Sequence, residues 1–250
     1  MKPIALQLYT VREEAARDLP GVLRRVAEIG YKGVELAGLH GRKPAEVAAM
    51  IRDLGLQISS SHTSLPTPEN LQEILEAELA LGNRRIICGF WKDEFASVDA
   101  CKETADRFNQ AAELVKPYGL SIGLHNHWWE FYKVDGRYPY EIVLEQSPGI
   151  FGQFDVYWAA YAGADPAEMV ARFKSRLPLL HIKDGTLKQD SPHTAVGSGV
   201  LNMPAIIRAA DPNILEWLIV ELDECATDMF EAVERSYGYL TSTGLAAGNK

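Results

Sequence analysis

The chain has 250 residues, 47% hydrophobic and 24% charged, a composition that supports a sizeable core in one or two domains. A formal net charge of −9, with both signs mixed along the chain, argues against a nucleic-acid partner, because affinity for phosphate backbones rests mainly on Lys and Arg. No stretch approaches the ~20 apolar residues of a membrane span, "MKPIALQLYT" lacks the features of a signal peptide, and Cys88, Cys101 and Cys225 form no CxxC pair, so reduced thiols and a cytoplasmic location are expected.

Short β-rich runs alternate with helical patterns. "IALQLYT" (4–10) precedes "LPGVLRRVAEIG", whose apolar residues recur at helical spacing. "GVEL" (33–36) precedes "KPAEVAAMIRDLG", closed by a glycine as helix ends prefer. "QISSSHTS" (57–64) leads to "TPENLQEILEAELALG", with Thr67 as the expected N-cap and Pro68 in the first turn. "RRIICGF" (84–90) leads to a long helix over 97–119.

The second half repeats the rhythm. "LSIGLHNH" (120–127) is followed by an irregular stretch with the turn "VDGR" and a short helix, "YEIVLEQS". "IFGQFDVYW" (150–158) reads as a strand, and "DPAEMVARFKSR" as a helix capped by Asp165 and begun by Pro166. "LPLLHIKDG" (177–185) precedes a polar loop with "VGSG" and a helix near 203–210. "EWLIVELDE" (216–224) precedes a final helix at 228–243, and the terminal "LAAGNK" reads as frayed.

Eight strand–helix units without a linker predict parallel pairing through helical crossovers, and in 250 residues they match a single-domain (β/α)8 TIM barrel over 1–250. No GxGxxG follows the first strand and no GxxxxGK[ST] occurs, which disfavours dinucleotide and P-loop folds.

Active sites of TIM barrels lie at the C-terminal ends of the strands. Polar residues collect at those ends here: Gln7 and Tyr9, Glu35, His62, His125 and His127 followed by Glu130, Asp155 with Trp158, His181 with Lys183 and Asp184, and Glu221 with Asp223. A lone carboxylate in the apolar runs "GQFDVYW" or "WLIVELDE" is costly to bury without a cation, a proton or several donors. An ion pair with Lys183 is the structural explanation for one of them. Asp155, His181 and Glu221 fall on three consecutive strands, and their oxygen and nitrogen donors suit one divalent ion, Mn²⁺, Zn²⁺, Co²⁺ or Mg²⁺. Trp128 and Trp129 read either as bulk covering the barrel mouth or as walls on which a sugar stacks. "VGSG" reads either as a turn or as a phosphate cradle.

"IALQLYTVRE", "GVELAG", "LHNHWWEF", "FDVYWAAYAGADP", "LLHIKDG", "VGSGVLNMPAI" and "WLIVELDE", in this order over nearly the whole chain, resemble the xylose isomerase-like TIM-barrel superfamily, and within it the sugar phosphate isomerase/epimerase group. The resemblance implies one divalent ion held by a Glu, an Asp, a His and a second Glu. Asp155, His181 and Glu221 match three of these. Relatives with epimerase activity carry Glu on strand 5, where this chain has His125. Either His125 replaces it or Glu130 reaches back from beyond the strand. Glu130 is the expected ligand, because a second carboxylate keeps the site anionic enough for a doubly charged ion. His127 matches the position of a catalytic base in related dehydratases.

The implied activity is that of a metal-dependent isomerase or epimerase on a sugar, keto sugar or polyol. The ion binds adjacent hydroxyl and carbonyl oxygens, His127 or Glu221 removes a C–H proton, and the resulting enediolate is stabilised. Gln7, Glu35, His62, His125, Trp158 and Lys183 are expected to shape the pocket and bind substrate. Histidine at the strand-5 position puts a symmetric pair of proton-exchanging glutamates in doubt, which leaves a dehydratase or lyase acting on a keto sugar or cyclitol as the alternative. A non-catalytic sugar-binding barrel is the alternative of another class. Apurinic-site endonucleases share the barrel but need more metal ligands and a basic surface, which this chain does not offer. The oligomeric state is open at this level.

Overall fold

A computed structural model describes residues 1–250. Its strands are β1 (Lys2–Gln7), β2 (Gly33–Ala37), β3 (Gln57–His62), β4 (Arg85–Cys88), β5 (Ser121–His125), β6 (Phe151–Asp155), β7 (Leu179–Ile182), β8 (Trp217–Val220) and β9 (Ala246–Ala247). Around them lie α1 (Arg12–Ile29), α2 (Pro44–Asp53), α3 (Leu71–Leu81), α4 (Val98–Val115) and α5 (Pro139–Gln146). The remaining helices are α6 (Val156–Tyr161), α7 (Pro166–Phe173), α8 (Met203–Ala209) and α9 (Met229–Ser242). Strands β1 to β8 pair in sequence order, all parallel, and β8 closes on β1. This is the closed (β/α)8 barrel that the alternating pattern predicts. No helix is long and apolar enough to cross a membrane.

Local chemistry sets several boundaries that the pattern left loose. α1 begins at Arg12, but its backbone breaks at Asp18 (φ −148°, ψ 73°), where Asp18 Oδ1 accepts from Gly21 N. The part after the break, with Leu19, Val22, Leu23 and Val26 buried, is the predicted helix, and it stops at Gly30 in the left-handed conformation. The third helix starts later than expected. Thr67 does not cap it, because the Asn70 side chain reaches back to accept from Thr67 N and the helix runs only from Leu71. Asp165 caps α7 as read, accepting from Ala167 N and Glu168 N.

Two departures matter for the site. The strand expected over 150–158 ends at Asp155, whose Oδ1 accepts from Tyr157 N and Trp158 N, both at 2.9 Å, and so starts α6. At the end of β1, Gln7 Oε1 accepts from Tyr9 N and turns the chain into a short 3-10 segment, Leu8–Val11. The C-terminus, read as frayed, is tied down. Ala246 and Ala247 pair with Lys2 and Pro3, and Asn249 N donates to Gly30 O.

Most of the apolar core lies between sheet and helices. A second cluster, Ala5, Ile87, Leu179, Trp217 and Ile219 with Phe151 against it, fills the bottom of the barrel interior. Gly33 and Gly123 make room for it: a Cβ at Gly33 would meet the Trp217 ring at 2.9 Å, and one at Gly123 would meet Phe151 at 2.3 Å.

Candidate active site

Above this apolar floor the barrel interior becomes polar. Parallel register sets Gln7 beside Glu35, Glu35 beside Ser60, His125 beside Gln153 and Asp155 beside His181. Each pair sits at or near the C-terminal end of its strands, so the side chains meet at one depth inside one mouth.

Glu35 is the hub. Its carboxylate is fully buried and accepts from Gln7 Nε2 at 2.6 Å and His181 Nε2 at 2.6 Å, and also from Ser60 Oγ and Gln153 Nε2. His62 Nε2 lies 3.1 Å from it. Burial alone raises a carboxyl pKa, but His62 and His181 outweigh it and hold Glu35 below the ordinary carboxylate range. His181 is gripped on both sides, since its Nδ1 lies 2.9 Å from Glu221 Oε2. Burial lowers the His181 pKa, but Glu35 and Glu221 together push it up to about 10. The bond to Glu35 orients the ring and leaves Nδ1, on the Glu221 side, as the atom that can exchange its proton for a metal.

The ligand atoms of His125, Asp155, His181 and Glu221 all lie within 4.8 Å of one another, and all four residues are buried. Asp155 Oδ2 is buried without a hydrogen bond; Lys183 Nζ lies 3.2 Å from it, out of alignment. A buried carboxylate oxygen with no donor, set among two imidazoles and a second carboxylate, fits a divalent ion. His125 itself is held by Gln153 Oε1 at 3.1 Å from its Nδ1. Burial, then the charges of His181, His127 and His62, keep its pKa well below the ordinary value, which favours the neutral ring a metal needs.

Lys183 is fully buried, 2.9 Å from Glu221, 2.8 Å from Asp223 and 3.2 Å from Asp155. Burial opposes its charge, but the three carboxylates raise its pKa well above the ordinary value.

The expected fourth ligand, Glu130, is elsewhere. Its Oε2 accepts from the backbone N of His127 at 2.9 Å, within the turn that follows β5. Its Oε1 is buried without a hydrogen bond, 3.7 Å from His127 Nδ1, which is itself buried and unbonded. The turn folds Glu130 under His127 rather than back into the barrel, so His125 takes the place expected for Glu130 in the cluster. His127 is part-exposed, stacked on Trp129 with ring centroids 4.3 Å apart, and lines the cavity above.

A family model described as xylose isomerase-like TIM barrel matches residues 23–240. The chain belongs to that family. An inosose dehydratase of Serratia proteamaculans (strain 568) is similar, 21% identical over 87% of each chain. Two crystal structures of a sugar phosphate isomerase/epimerase from Parabacteroides distasonis ATCC 8503 superpose well. One has a TM-score of 0.82 at 29% identity, over 98% of this chain and 96% of the other. The second has a TM-score of 0.82 at 25% identity, over 99% and 100%.

Within this xylose isomerase-like barrel, the mouth opens into a cavity of about 1200 Å³ lined by Gln7, His62, His125, His127, Trp158, Lys183 and Glu221 among others. Glu35, Asp155 and His181 form the layer beneath it. Gln153, which ties His62, His125 and Glu35 together, was not picked out by sequence reasoning, although it lies two residues before Asp155 on the same strand face. His193 gave no signal because it sits in a loop; it is buried against Tyr157 and Trp158 and accepts from Asp223 N. "VGSG" is not a phosphate cradle: the backbone N–H groups of Gly197, Gly199 and Leu201 donate to the buried Asp184 carboxylate. A Cβ at Gly199 would meet Asp184 Oδ1 at 2.1 Å, so this glycine serves the close approach.

Proposed function

We propose that this chain is a divalent-metal-dependent sugar isomerase or epimerase that moves a proton at a carbon beside the carbonyl of a sugar, keto sugar or polyol. The observation that carries the reading is the buried set His125, Asp155, His181 and Glu221 at the base of a cavity that His125, Glu221 and His127 line. The family, and the names of the similar crystal structures, support the same class. A divalent ion held by these four residues would act as a Lewis acid and stabilise negative charge on substrate oxygens.

The chain's own residues supply the rest. His127 is the base: it lines the cavity, and Glu130 Oε1, 3.7 Å from its Nδ1, is the group that would hold a proton on that nitrogen and so leave Nε2 to take one from substrate. The His127 imidazolium returns that proton to the neighbouring carbon in an isomerisation; Glu221, which directly follows β8, would serve an epimerisation as the second group only where it already carries a proton of its own. Lys183 keeps its charge among three carboxylates and offsets negative charge at the reacting centre. Gln7 and His62 present polar atoms to substrate hydroxyls, and Trp158 walls the pocket.

A second reading has a specific observation behind it. With His125 in the cluster and Glu130 withdrawn behind His127, two carboxylates do not face each other across the substrate. One histidine base suits elimination of water or an alcohol from a keto sugar or cyclitol, and the similarity to inosose dehydratase points the same way. Incubation in D₂O with Mn²⁺ and a panel of keto and aldo sugars, cyclitols and 3-keto glycosides, followed by NMR, tests both. Metal-dependent deuterium at a carbon beside the carbonyl is the expected result. Loss of water or of an aglycone assigns the lyase reading. No exchange on any compound by the metal-loaded protein leaves only a binding barrel.

A further inference from the structure

The cavity is larger than the polar layer beneath it requires. Ligand sites of ~300–1,000 Å³ hold drug-sized molecules, and this one measures about 1200 Å³. Its acidic and lysine side chains come from the segments after β7 and β8, while Tyr157, Trp158 and Tyr161 wall the β6 side. The opposite rim, from the segments after β4 and β5, carries Phe90, Trp91, Trp129 and Tyr132.

Phe90 and Trp129 are half-buried and pack against the core, but the outer two do not. Trp91 is 76% exposed and Tyr132 52% exposed. Trp129 is fixed by its Nε1–H to Phe90 O at 3.1 Å and by stacking on His127, and Trp91 stacks beyond it with centroids 5.9 Å apart at 26°. The row His127, Trp129, Trp91 thus runs from the proposed base outward to solvent. Nothing inside the chain rewards so exposed an indole.

Charge narrows the ligand further. Glu221, Asp223, Glu224 and Asp190 line the cavity. The basic side chains among its lining residues are Lys183, already shared by three carboxylates, and Lys188 on the exposed loop. The one glycine loop that resembles a phosphate cradle spends its N–H groups on Asp184. With the charge of the proposed ion balanced by Asp155 and Glu221, a phosphate dianion at the outer rim would meet Asp190, Asp223 and Glu224 with Lys188 as the one spare cation, whereas the C–H face of a neutral ring would meet flat aromatic surface.

We infer that Trp91, Trp129 and Tyr132 form an outer subsite for an uncharged second ring, so that the substrate is a neutral glycoside, a sugar carrying another sugar or an aryl aglycone, rather than a sugar phosphate. The inference rests on the sugar-directed reading above, and binding tests it apart from turnover. Titration calorimetry on the Mn²⁺-supplemented protein would compare methyl and phenyl glycosides of glucose, galactose, mannose and xylose with cellobiose and glucose 6-phosphate. The phenyl glycoside of whichever sugar binds should exceed its methyl counterpart by about 3- to 10-fold, the worth of one aromatic stacking contact. Trp91→Ala should remove that advantage.

Four outcomes overturn the subsite: glucose 6-phosphate binding more tightly than the neutral glycosides; Trp91→Ala weakening methyl and phenyl glycosides equally; no glycoside binding at all; or Trp91→Ala changing the mass in solution with no effect on glycoside affinity, which makes the rim an interface between copies. A clear ring preference with no proton exchange on any sugar in D₂O leaves the subsite standing and removes the catalytic reading instead.

Discussion

The floor of the barrel and the layer above it are built from the same strands, two residues apart. Ala5, Gly33, Gly123, Phe151, Leu179 and Ile219 lie below Gln7, Glu35, His125, Gln153, His181 and Glu221. Side chains two apart on a strand point the same way, so one step of the pleat separates an apolar plug from a network of buried charge. The floor is hydrophobic burial and close packing, which stabilise a barrel of any function. The upper layer gathers Glu35, Asp155, His181, Lys183 and Glu221 out of water, where hydrophobic residues of similar volume would often stabilise as well or better. A fold does not need that arrangement, and so the upper layer is where function is to be sought.

Substitutions should separate the two regions cleanly. The largest effect is expected at His127, which faces the cavity without belonging to the metal set. His127→Asn should lower turnover on the order of 10²- to 10⁴-fold while Mn²⁺ binding stays. Glu130→Gln should lower turnover by less than His127→Asn, also with the metal retained, since Glu130 acts only through His127. Loss of the metal in Glu130→Gln would return that residue to the ligand set. In the floor, Trp217→Ala should cost about 3–5 kcal/mol in denaturant unfolding, because it leaves a cavity beneath Gly33. At a temperature where the variant is folded, its metal affinity should match that of the parent. A Trp217→Ala protein that is folded but binds no metal would show that floor and polar layer are not separable.

The fold was legible because alternating strands and helices leave a strong period, and the cluster was legible in part because Asp155, His181 and Glu221 break apolar runs. What the sequence hid depends on where side chains turn. Asp155 looks like an interior strand residue, yet it ends β6 and caps α6 with one oxygen while the other faces the cluster. Glu130 is three residues beyond His127, and whether it reaches into the barrel or under the turn is decided by a hydrogen bond to the His127 backbone that no periodicity encodes. Glu35 was expected at the pocket wall. Only its register beside both Gln7 and Ser60, and across the barrel from His181, makes it the hub of the layer.

That position gives the smallest but most discriminating test. Glu35 touches none of the cavity directly; it acts on His181, whose Nε2–H it accepts at 2.6 Å. Partners of metal-bound histidines typically change metal affinity 10–100-fold when removed. Glu35→Gln keeps the size but replaces an oxygen with an NH₂ group facing donors from Gln7, Ser60, Gln153 and His62. Two donors then oppose each other in a dry interior, and the His181 ring loses the charge that orients it. The expected result is Mn²⁺ affinity lowered ~10- to 100-fold by calorimetric titration, with the barrel still folded by circular dichroism. Unchanged affinity would place Glu35 with the floor, as a residue that holds the strands together, and the boundary between the two regions would move up by one layer.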